Sequence, residues 1–69
     1  MEQADLEKRF TYHPPLNGQA GRYAGLREYG LQLAEHINKE CPDSREKSLA
    51  ITALEETIMW ANASISRNE

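Results

Sequence analysis

A chain of 69 residues with a net charge of −3 is one domain at most, and it lacks the cationic excess that holds long nucleic acid by many phosphate contacts. Its single cysteine, Cys41, has no partner for an intrachain disulfide, which predicts work in a reducing cytoplasm, and no apolar run approaches the roughly 18 residues of a membrane span. A domain this small buries only about 60% of the surface its unfolded chain exposes, so its core is expected to be thin.

Gln3 to Phe10 predicts a short helix, with Leu6 and Phe10 one turn apart on a single face. It is too short to be stable alone. In Thr11-Tyr12-His13-Pro14-Pro15 the two prolines forbid helix and hold the backbone extended, giving a stiff connector that carries an aromatic ring. Asn17 then reads as a cap, and a second helix is expected from about Gly18 to Lys39, with Tyr23, Leu26, Leu33, Ala34 and Ile37 on its inner side and Leu31 off that stripe. Gly21, Gly25 and Gly30 fall inside it, each about 1 kcal/mol worse than alanine. Gly21 and Gly25, one turn apart, flatten one face and suit the close approach of a partner helix or a ligand. The turn Glu40-Cys41-Pro42 ends this helix and reverses the chain.

The last helix, Asp43 to Asn68, is the longest uninterrupted helical pattern. Ala50, Leu54, Ile58, Ala61 and Ile65 recur at helical spacing, widened by Leu49, Ala53 and Trp60. Asp43 is placed to cap the first turn with Glu46 reaching back, and Arg67 suits the negative end of the dipole. Residues 1–69 therefore predict a single all-α domain: short helix, proline-rich connector, antiparallel two-helix hairpin. Two helices shield only one side of each other, which leaves Leu31 and Trp60 facing water. A homo-oligomer is expected, most simply a dimer whose hairpins form a four-helix bundle. The plainer alternative is a small helical monomer with a thin core.

Catalytic groupings are missing. His13 and His36 lie on different elements with no cysteine or carboxylate cluster at metal-ligand spacing, so no metal and no cofactor is expected. Cys41 has no histidine beside it to act as base, and Glu55 and Glu56, adjacent on a helix, point in different directions. An enzyme is not expected. Binding fits better. Tyr12 on its stiffened segment could stack on a nucleobase at little ordering cost, and Arg22, Arg27, Arg45, Lys47 and Arg67 could meet phosphate. Equally, Tyr12 could pack beneath the prolines and the charges could be solvated helix faces.

The run Phe10-Thr11-Tyr12-His13-Pro14-Pro15, then Gln19, Arg22-Tyr23 and Leu26-Arg27, then Cys41 through Ala50, and the ending Met59-Trp60-Ala61-Asn62-Ala63 with Arg67-Asn68-Glu69, resembles a family of small phage proteins. These are the anti-CBASS cyclic-nucleotide sponges, which share a helical hairpin domain with the anti-Thoeris sponges. The resemblance implies a hexameric, non-cleaving protein in the cytoplasm of an infected bacterium. It would hold cyclic dinucleotides such as cyclic GMP-AMP between protomers, and cyclic trinucleotides at a separate site, so that the host's effector stays silent. By position, Tyr12 matches the family's base-stacking tyrosine and Arg27 its phosphate-binding basic residue. His13 and Arg22 join them as candidates, and Arg67 and Asn68 fall to the second site by the shared ending. The rival expectation is an interaction module whose exposed apolar stripe docks on a host protein to inhibit it.

Overall fold

The computed structural model describes residues 1–69 as three α-helices with no strand: α1 (Gln3–Phe10), α2 (Gln19–Glu40) and α3 (Arg45–Asn68). The chain is all-α, a short helix and then a helical hairpin. Ala50, Leu54, Ile58, Ala61 and Ile65 form the half-buried stripe of α3, whereas Leu49, Ala53 and Trp60 stay exposed. On α2 the inner seam is narrower than the sequence suggests. Tyr23, Leu26, Ala34 and Ile37 are half-buried, but Leu33 is 48% exposed. It lies at the edge of a seam centred on Gly30, and a helix with one neighbour has room for only one such line.

At Gly30 the two helices pack directly on one another. A Cβ placed there would stand 2.8 Å from Ile58 Cγ1, inside any normal contact distance. Gly21 and Gly25 have nothing within 4 Å of the same position, so the hairpin gives them no packing role. Hydrogen bonding at the turn corrects the expected cap. Ser44, extended and directly before α3, accepts from the Lys47 backbone N–H at 3.1 Å. Asp43 lies one residue too early for that bond; its carboxylate instead takes Lys47 Nζ at 2.8 Å, and the same ammonium donates to the Asn38 carbonyl at 2.8 Å. One lysine thus ties the end of α2 to the start of α3. Glu46 remains an exposed first-turn acid.

The start of α2 differs as well. Gly18, not Asn17, occupies the cap position, at φ +82, a left-handed conformation that glycine reaches without a Cβ penalty. The molecule measures 45 × 30 × 13 Å, so it is one helix layer thick. Only Gln19 and Gly30 are buried, and no apolar side chain is. Every residue of α1 is exposed. No helix is long and apolar enough to cross a membrane.

Candidate ligand-binding site

The connector between α1 and α2 is extended but not loose. At its entry Thr11 closes on Glu7 through both its backbone N–H and its hydroxyl, and His13 Nε2 lies 2.8 Å from the Lys8 carbonyl, which a ring N–H satisfies by donating. At its exit the Leu16 N–H donates to Gln19 Oε1 at 2.9 Å, while the Gln19 N–H returns to the Leu16 carbonyl at 3.0 Å. Tyr12 stands between these ties and is 82% exposed, so it does not pack beneath the prolines. A phenol ring on a backbone pinned at both ends is ordered before it meets a ligand, which lowers the entropic cost of stacking.

Arg27 rims a groove of about 470 Å³ between α2 and α3, floored by Leu31, Leu54, Ile58 and Met59. Glu55 and Asn62 also line it. Arg27 is exposed and forms no ion pair, since the two salt bridges of the chain lie elsewhere. Asn62 Oδ1 is buried with no hydrogen-bond partner, the kind of orphan that costs about 1–3 kcal/mol if nothing meets it. Tyr12 is not among the residues lining this groove. The groove that Arg27 rims is therefore not completed by the Tyr12 ring of the same chain.

At the open end of the hairpin Arg22, near the start of α2, meets Glu69, the residue that follows Arg67 and Asn68 at the end of α3. Arg22 Nη1 donates to Glu69 Oε1 at 2.7 Å, and Gln19 Nε2 reaches the same oxygen at 3.5 Å. The hydrogen bond from Arg22 holds the Glu69 carboxyl below its usual range, and the bond to Glu69 raises the Arg22 guanidinium in turn. Both side chains are about half exposed, so water screens the pair. Asn68 Nδ2 is used on its own helix, donating to the Ser64 carbonyl at 2.9 Å, and Arg67 is half-buried.

Several contributors escape a reading by residue type. Asn62 follows Ile58 by four residues on the inner stripe, so a polar side chain at a core position was the available signal. Gln19 and Glu69 gave none, because they lie 50 residues apart. No group of three or more histidine, cysteine, aspartate or glutamate side chains gathers to hold a metal.

A family model described as "Acb2/Tad1, hairpin domain" matches residues 2–66. No curated protein and no solved structure matches the chain.

Proposed function

Because the chain belongs to the Acb2/Tad1 hairpin-domain family, its match running over residues 2–66, we propose that it binds and sequesters cyclic oligonucleotide second messengers without cleaving them. The family match carries this reading. In it, a phage-encoded protein in the cytoplasm of an infected bacterium removes cyclic dinucleotides such as cyclic GMP-AMP, and cyclic trinucleotides at a second site, so that a CBASS effector is never switched on. Such a protein needs no catalytic residues.

The physical features support the proposal at three points. Tyr12 offers a stacking face on a pinned backbone, and Arg27 has all its N–H donors free for a phosphate. A molecule 13 Å thick with no buried apolar side chain gains most by covering its broad faces with copies of itself. Assembly, to a hexamer in this proposal, would then close over the open groove and bring Tyr12 of one chain to Arg27 of another. His13 has Nδ1 available and Arg22 keeps donors beyond the one given to Glu69, so both can contribute at the margin of that pocket. Arg67 and Asn68 serve the second site.

The exposed Leu31, Met59 and Trp60 also favour a rival, docking on a host protein through the apolar face. Calorimetric titration against a panel of cyclic di- and trinucleotides, with the mass of the assembly measured in the same buffer, separates the two. Tight binding of about one dinucleotide per two chains, weakened but still measurable in Tyr12→Ala and in Arg27→Ala, is the expected result. Silence across the panel from a folded oligomer overturns it in favour of docking. Recovery of intact messenger after heating the complex distinguishes holding from cleaving.

A further inference from the structure

In a chain without one buried apolar side chain, the single buried side chain is a carboxamide: Gln19, 4% exposed. Burying an amide is costly unless its hydrogen bonds are met, and here they are met from three directions. Its Oε1 accepts from the Leu16 N–H at 2.9 Å and from the Tyr23 hydroxyl at 3.2 Å, while its Nε2 points to Glu69 Oε1 at 3.5 Å. Glu69 is in turn held by Arg22. Three separate parts of the molecule meet on this side chain: the last turn of the connector, the first turn of α2, and the end of α3.

The bond to Leu16 matters most, because the connector has few other ties. Pro14 and Pro15 carry no N–H to donate, Gly18 turns the chain in a left-handed conformation without a side-chain cap, and the entry is fixed only to α1, which is itself exposed throughout. The Leu16–Gln19 exchange is thus what sets the connector against the hairpin. We propose that Gln19 is a positioning residue for the ligand site: by gripping Leu16 it fixes where the connector holds the Tyr12 ring relative to α2 and α3. This rests on the reading of Tyr12 as the stacking residue. Gln19 touches no ligand itself, and its effect passes through the connector.

The test is a double-mutant cycle on cyclic dinucleotide affinity, with amide exchange at Leu16 as an independent readout. Gln19→Ala is expected to weaken binding about tenfold in the otherwise unaltered protein and to change nothing further in a Tyr12→Ala background, because its effect is spent through that ring. Its Leu16 amide should exchange at least tenfold faster. Tyr23→Phe, which removes one hydroxyl and leaves the packing, should move both quantities the same way by a few-fold, which guards against loss of the fold in Gln19→Ala. Unchanged affinity in both variants overturns the proposal, as does a Gln19→Ala loss that persists undiminished without the Tyr12 ring. If the unaltered protein binds no cyclic dinucleotide, the sponge reading fails rather than the grip. Leu16 exchange then decides the grip alone, acceleration supporting it and an unchanged rate overturning it.

Discussion

The two ends of the hairpin are built differently. At the turn, every polar contact is local: Ser44 caps Lys47 three residues on, and Lys47 reaches Asp43 and, nine residues back, Asn38. At the open end the contacts span almost the whole chain, Gln19 and Arg22 meeting Glu69 from 50 and 47 residues away. The turn closes cheaply because short loops cost little entropy, and once it has closed, the helices follow. The open end holds Arg22 and Arg67, the pinned tyrosine connector and two glycines with open space beside them. One end makes the fold, and the other carries the features proposed to bind.

The sharpest way to break that division is Arg27→Glu. In the proposed pocket it sets a carboxylate beside a phosphate, and cyclic dinucleotide affinity is expected to fall about 100-fold or more, roughly 2.7 kcal/mol, by titration calorimetry. Helicity and assembly mass should not change, because Arg27 makes no ion pair in the chain. A variant that loses its assembly as well makes Arg27 a fold residue. Next in size is Gly30→Ala on the fold side. Its Cβ would stand 2.8 Å from Ile58 Cγ1. Crowding of that order costs about 1–3 kcal/mol, against about 1 kcal/mol returned by helix propensity. The melting temperature should drop, and in an Ile58→Ala background, which lacks the Cγ1 and Cδ1 atoms that would clash, the same change should cost less. No drop would mean that the seam has slack.

How much of this was legible in the sequence divides along the same line. Helix existence, the turn at Pro42 and the inner stripe of α3 follow from periodicity and proline chemistry, which act locally. The caps are harder. Asp43 and Ser44 both have oxygens that can cap, and only the backbone at Ser44 decides which one reaches the Lys47 amide. Asn17 gives way to Gly18 for a similar reason, since a left-handed turn needs no side chain. Leu33 reads as inward because hydrophobicity does not say how wide a seam with one partner is. The open end is the least legible part. Nothing in their types joins Gln19 to Glu69 until the hairpin brings α3's end back to α2's start, whereas Tyr12, Arg22 and Arg27 stand out through stacking and phosphate chemistry and, for Tyr12 and Arg27, through the family resemblance.

Gly21 and Gly25 give the next smaller effect and bear directly on the comparison. Both lie in helical conformation with open space around them, so alanine at either should stabilise an isolated chain by about 0.5–1 kcal/mol in denaturant titration. If their flat face is used by a second copy or a ligand, the same variants will instead dissociate the assembly or weaken binding at equal or greater helicity. Either outcome says whether two costly glycines in the open half are there for contact.

The smallest expected effect is acid sensitivity. Glu69 titrates below its usual value of 4.5 because Arg22 and, more weakly, Gln19 stabilise its charged form. A lowered carboxylate pKa means that the unfolded chain takes up protons first. The clasp's contribution is therefore complete above that value and disappears as pH falls through the lowered one. Asp43, lowered by the hydrogen bond from Lys47, behaves in the same sense at the turn. Melting curves from pH 6 down to about 3 should show a modest fall that Glu69→Gln and Asp43→Asn each reduce in part, small because both carboxylates are well exposed. The two variants part on the connector: only Glu69→Gln should also remove the acid-induced loss of Leu16 amide protection, measured against the intrinsic exchange rate at each pH, because only Glu69 touches the side chain that grips it.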